Sequence, residues 1–210
     1  MLLVLITLLI PTRALAQGPE DGASDRPGSP PESPRSQAEE TPHDWRKGME
    51  WASVNMGYGV LVNPGEMPNS TGFSMLVEFF KYRVSLEDSA FVFANLGVFV
   101  VIGETQKDGV DLNTDSQIRY AALGYGRTFG GFGGIEAALG YAAATYETTV
   151  DILGAPSATV DGTGVYASLA LLHRFDGVTL RTGVSLSRIQ VDGDQGESYD
   201  ARSLFVGAGF

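Results

Sequence analysis

Cysteine is absent from this 210-residue chain. Disulfides, thiolate metal sites, a cysteine nucleophile and a cysteine-linked lipid anchor are therefore excluded. Basic residues are scarce: 14 Lys and Arg stand against 25 Asp and Glu, for a formal net charge of -11. That balance argues against nucleic acid, whose phosphates select basic surfaces. No helical periodicity persists beyond two turns. The apolar run Met1–Ile10 is too short for a membrane-crossing helix. Proline nearly vanishes after Trp45, where only Pro64, Pro68 and Pro156 remain.

Glycine and aromatics are plentiful, with 27 Gly, 8 Tyr and 11 Phe, a mixture that favours strands. The chain divides into three parts. Residues 1–16 read as a signal peptide, because Ala14-Leu15-Ala16 forms an A-x-A cleavage site with Gln17 as the mature start. No Lys or Arg precedes its apolar run. Residues 17–45 hold six of the ten prolines and almost no apolar side chain. Such a leader buries too little surface to offset its ordering entropy, and disorder is expected. Residues 46–210 form the folded domain.

In that domain apolar residues alternate with a period of two. Eight strands are expected, near Trp51–Val62, Phe73–Ser85, Ala90–Gly103, Gln117–Phe129, Gly134–Glu147, Gly164–Phe175, from Val178 through Leu186, and over the final stretch Ser203–Phe210. One face carries Val, Leu, Ala and Phe. The other carries Gly, Ser, Thr and Tyr with isolated charges. In the second strand Phe73, Met75, Val77 and Phe79 oppose Ser74, Glu78 and Tyr82. The fourth is ambiguous, since Ala121, Leu123 and Tyr125 share a face with Arg119 and Arg127. Most strands reach ten residues, twice the globular average and enough to cross a bilayer.

The connections alternate long and short. The long ones are Asn63–Gly72, Glu104–Ser116, Thr148–Thr163 and Asp192–Ala201. The short ones are Leu86–Asp88, Gly130–Gly133 and Asp176-Gly177, the last a type I′ hairpin signal. All three late prolines fall in long connections. Lipid offers no partner to a free strand edge, so the sheet must close. The expected fold is all-β: an eight-stranded antiparallel up-and-down transmembrane β-barrel, filled by side chains.

These features, with the ending "SLFVGAGF", resemble the bacterial outer-membrane eight-stranded barrels of the OmpA/OmpX type and related porin-family β-barrel domains. The resemblance covers Trp51–Phe210. It implies a location in the cell outer membrane after export, with membrane lipid as surroundings. It also implies that Leu204, Val206, Ala208 and Phe210 form the assembly signal read by the barrel-assembly machinery. Members of the family serve as structural anchors, surface-interaction factors or small conduits and, rarely, as enzymes, so the fold alone does not select a role. A structural or surface-interaction role through the long loops is the reading adopted. A narrow conduit for ions or small solutes is the alternative, and a secreted soluble ligand-binding barrel is a second. No cofactor is expected.

Catalysis is not expected. The family's lipid A deacylases carry a serine two residues after the catalytic histidine. Here His43 falls in the leader, and His173 is followed by Arg174 and Phe175. The inward charges Glu78, Glu136, Arg127 and Arg181, with Arg119 on one reading of the fourth strand, make a lumen cluster. A charge in a narrow barrel must be paired or hydrated, and Glu136 is expected to meet Arg181 or Arg127. Asp108, Asp111, Asp115, Asp192, Asp194 and Glu197 read as solvated loop acids. The stretches "DGTG" and "GGFGG" precede no helix and read as turns rather than phosphate cradles.

Overall fold

The computed structural model describes residues 48–50, 52–63, 67–86, 89–130, 133–150, 157–175, 178–192 and 197–209. The signal peptide with Ala14, Ala16 and Gln17, the leader, Trp51, the Asp176-Gly177 turn, Asp194 and Phe210 lie outside the described residues.

Among the described residues nine strands run in chain order: β1 (Gly48–Glu50), β2 (Ser53–Val62), β3 (Ser70–Ser85), β4 (Ala90–Lys107), β5 (Val110–Phe129), β6 (Gly133–Val150), β7 (Ala158–Phe175), β8 (Val178–Val191) and β9 (Ser198–Gly209). Each of β2 to β9 pairs antiparallel with its neighbours, and β9 closes on β2 from Ser53 opposite Gly209 to Val62 opposite Asp200. The result is a closed ring of eight strands. β1 continues β2 along the same side of β3, with Glu50 opposite Lys81 and Ser53 opposite Glu78.

Alternation sorts the side chains as the pleat demands. Val54, Met56, Tyr58 and Val60 of β2 point out, while Ser53, Asn55, Gly57, Gly59 and Leu61 point in. The outer face carries an apolar belt that includes Leu96, Leu123, Leu139, Leu169, Val184 and Leu204. Leu123 is 72% exposed. In water a continuous belt of this kind is an association liability, whereas in hydrocarbon it is the required surface.

Three sequence expectations are corrected here. First, β3 carries a bulge against β4 between Glu78 and Phe80. One extra residue reverses the inside–outside parity. Tyr82 therefore points outward, and Lys81 and Arg83 point inward and are buried. A matching irregular step separates β1 from β2, so both Glu50 and Ser53 face inward.

Second, Arg119 and Arg127 lie on the outer face of β5. Two small residues decide this parity. Gly126 and Gly124 stand opposite Phe91 and Phe93 of β4. A Cβ on either glycine would lie 2.1 Å from the Cζ of its phenylalanine. The phenylalanine rings fill the inner space that these glycines leave open.

Third, the strands run far past the expected loop boundaries. β4 and β5 continue through Glu104–Ser116 and meet at Asp108-Gly109, whose φ values of 53° and 78° suit a type I′ turn. "DGTG", Asp161–Gly164, is part of β7 rather than a turn.

Arg119 and Arg127 now bracket the lipid belt on β5. Between them the outward side chains are Ala121, Leu123 and Tyr125. Eight residues at about 3.4 Å each, tilted by about 40°, span roughly 21 Å along the membrane normal. Only about half of the 20-residue β5 is needed to cross the bilayer. The remainder extends past the belt at the end where the long connections lie.

Candidate functional site

The short-turn end of the barrel is filled by six charged side chains. Glu50 of β1, Glu78, Lys81 and Arg83 of β3, Glu136 of β6 and Arg181 of β8 all point inward and are buried. Three carboxylates face three cations, so their formal charges cancel.

Arg181 is the hub. Its guanidinium donates to Glu50 and, through Nη1, to Glu78 Oε2. Its Nε lies 3.4 Å from Glu136 Oε1. Lys81 Nζ donates to Glu136 Oε1 at 2.6 Å and sits 3.2 Å from Glu78 Oε2. Arg83 Nη2 is 2.8 Å from Glu50 Oε2. Neutral groups complete the shell of Glu78: Ser53 Oγ donates at 2.7 Å and Asn95 Nδ2 at 2.5 Å. Lys81 Nζ also lies 4.6 Å above the Phe93 ring, a cation–π contact that helps offset its loss of water.

Of the four charges expected in the lumen, the structure brings Glu78, Glu136 and Arg181 together. Arg127 is excluded by the parity of β5. Glu50, Lys81 and Arg83 escaped the sequence reading. The signal for two of them was present: the adjacent aromatics Phe79 and Phe80 interrupt the alternation where the bulge sits. Glu50 lay before the first expected strand.

Beyond the ionic layer the lumen stays filled. Tyr120 and Tyr166 stack with ring centroids 3.8 Å apart and planes within 10°. Gly97 leaves room for the Tyr120 hydroxyl, which would lie 2.5 Å from an added Cβ. Further along, Phe99, Val101, Ile118 and Ile189 are fully buried. Nearest the long-loop end, Tyr146 donates to Asn63 Oδ1 at 2.9 Å, and Ser116 and Tyr199 share a hydrogen bond of 2.9 Å. Asn63 in turn donates to the Pro68 carbonyl at 2.6 Å. These polar contacts tie the β2–β3 connection to the opposite wall.

The remaining candidates are dispersed. His173 points outward from β7 and packs edge-on against Phe175. Asp108 occupies the hairpin turn, and Asp111 accepts from Gln106 at 3.0 Å. Asp115 stands on the outer face directly opposite Glu147. Burial, and then the Glu147 carboxylate, hold the Asp115 carboxyl above its usual range. Among the described residues no group of three His, Asp or Glu side chains is placed to hold a metal. Leu204, Val206 and Ala208 point toward lipid from β9.

No protein-family model and no curated protein matches the chain. Solved structures do. The crystal structure of Neisserial surface protein A (NspA) matches with a TM-score of 0.53 at 14% identity, over 78% of this chain and 98% of that one. Ail, the attachment invasion locus protein of Yersinia pestis, matches at 0.46 and 13%, over 78% and 99%. The outer membrane protein OprG from Pseudomonas aeruginosa matches at 0.42 and 10%, over 79% and 97%. The likeness to NspA is one of fold. A closed antiparallel ring with an apolar belt outside and a charged, filled interior is a transmembrane β-barrel of the outer-membrane type. In that class short turns face the periplasm and long connections the cell exterior.

Proposed function

We propose that the chain is a closed outer-membrane barrel with a structural or surface-interaction role, carried by the β4–β5 and β6–β7 hairpins beyond the membrane. The observation behind this reading is the filled lumen. A permeating ion would have to separate six charges that satisfy one another, then pass the Tyr120–Tyr166 stack and a layer of Phe, Val and Ile. Displacing any one charge leaves the buried layer with an unbalanced charge, which is costly in a medium of low polarity. The strands that could serve a partner are instead those that extend into the extracellular space.

Cleavage follows Ala16. Phe210, with Leu204, Val206 and Ala208, is the signal for insertion.

Conductance tests the closed lumen. The refolded protein in planar bilayers is expected to show no steady current at neutral pH. A steady current in the unmodified protein, abolished by Glu136→Gln, would establish a conduit and overturn the proposal.

A further inference from the structure

We propose that Arg83 and Arg181 form a receptor for a small carboxylate of formate or acetate size, and that Glu50 fills it in cis from a detachable strand, β1. The inference rests on the geometry of the ionic layer and not on whether the barrel conducts.

Glu50 is held differently from the rest of the layer. Glu78, Lys81, Arg83, Glu136 and Arg181 sit on strands of the closed ring. Glu50 sits on the three-residue β1, which among the described residues pairs with β3 alone. The ladder between β2 and β9 ends at Ser53 and Gly209, so it does not reach β1. Met49 is exposed, and a Cβ on Gly48 would meet nothing within 4 Å. A short strand paired on one edge opens at lower cost than the ring it borders. When β1 lifts away, Lys81, Arg83 and Arg181 face only Glu78 and Glu136. The buried layer then carries a net positive charge, which an anion would neutralise.

The receptor has the shape of a carboxylate. Arg181 Nη2 lies 2.5 Å from Glu50 Oε1, and Arg83 Nη2 lies 2.8 Å from Glu50 Oε2. A Cβ on Gly209 would collide with the same carboxylate, so this glycine keeps its place open. Arg83 shows that Glu50 is an imperfect occupant. Its side chain is buried, and its Nε and Nη2, adjacent donors of one fork, make no hydrogen bond. Glu50 is near that fork but not aligned with it, and Glu136 Oε2 is 3.9 Å away. Such a fork is matched by the two oxygens of one carboxylate. A soluble carboxylate, free of the β1 backbone, can turn to meet it, which offsets the loss of the tether. The space that Glu50 vacates limits the ligand to the size of its tip.

The test uses the full-length barrel refolded in lipid vesicles, with sodium formate compared with sodium chloride at equal concentration. In Glu50→Ala formate should stabilise the fold. At about ten times its half-saturating concentration, the folded-to-unfolded ratio in urea should rise about tenfold over chloride. The bulkier pivalate should give no gain. Glu50→Ala with Arg83→Met should gain nothing from formate, and because Glu78, Glu136, Lys81 and Arg181 then cancel, it should fold without help. If Glu50→Ala fails to fold in chloride, formate should restore its heat-modifiable migration. In the unmodified protein the same formate concentration should raise the population with β1 released, and so speed hydrogen exchange of the β1 amides about tenfold. A disulfide from Met49→Cys with Tyr82→Cys, directly opposed residues in a chain that has no cysteine of its own, should abolish that acceleration. The proposal is overturned if formate acts on Glu50→Ala no better than chloride or pivalate, or if its gain survives Arg83→Met. It is equally overturned if β1 exchange is the same in formate and chloride, or if the acceleration persists in the disulfide-linked protein.

Discussion

Arg181 and Arg202 form ion pairs of similar length, 2.5 Å to Glu50 and 2.7 Å to Asp200. Their side chains are 1% and 56% exposed. Distance alone would rank the two pairs as equals. Surroundings separate them. Arg181 has exchanged water for three carboxylates in a narrow lumen, and each of them relies on it for part of its compensation. Arg202 keeps much of its hydration and is screened by salt. Inside the barrel charge fixes the structure, whereas on the rim it stays hydrated and contributes little.

The largest predicted effect follows directly. Arg181→Met leaves Glu50, Glu78 and Glu136 to Lys81 and Arg83. One buried carboxylate then lacks a partner, and the expected loss is about 3–5 kcal/mol. Arg202→Met should cost less than about 1 kcal/mol. Urea unfolding of both variants in lipid vesicles measures the difference. A loss for Arg181→Met no greater than that for Arg202→Met would break the comparison.

A second experiment sharpens it by reaching the ionic layer through packing. A Cβ on Gly126 would meet the buried Phe91 ring. Arg83 lies over that same ring, 5.8 Å from its centroid. Gly126→Ala should therefore destabilise by about 1–3 kcal/mol, the range for overpacking. Adding Phe91→Leu should recover much of this by making room. If Phe91→Leu recovers nothing, the β5 backbone rather than the ring is the source of the cost.

The strand positions were legible because two-residue alternation persists over long stretches and turns punctuate it. Closure followed from the absence of any lipid partner for a free edge. The ionic layer was only half legible, for one reason. Parity is counted from a starting point, and a single inserted residue inverts everything beyond it. The doublet Phe79-Phe80 marked that inversion, and Lys81 and Arg83 followed from it. On β5 both faces contain small and apolar residues, so Arg119 and Arg127 could be oriented only from the neighbouring strand, where Phe91 and Phe93 fill the space above Gly126 and Gly124. The hairpin extensions were hidden because Thr, Asn and Asp alternate there as readily as they form loops.

The smallest predicted effect lies outside the membrane, where Asp115 faces Glu147 across the β5–β6 ladder. Like charges in directly opposed positions repel. Burial and this repulsion raise the Asp115 carboxyl above its usual range. For an acid, a folded-state value above the unfolded one means that ionisation costs the folded state more. The penalty is therefore present at neutral pH and fades as pH falls through the folded-state value. Asp115→Asn should raise stability at pH 7 by a few tenths of a kcal/mol, small because the pair is only partly withdrawn from water. The gain should shrink on acidification, since the native side chain then becomes neutral as well. It should also shrink in concentrated salt, which screens an exposed pair. Urea midpoints for both proteins at neutral and acidic pH, with and without added salt, measure this. A gain that persists unchanged under acid and salt would assign the effect to strand propensity rather than charge. The outer wall would then be as indifferent to Asp115 as the lumen is sensitive to Arg181.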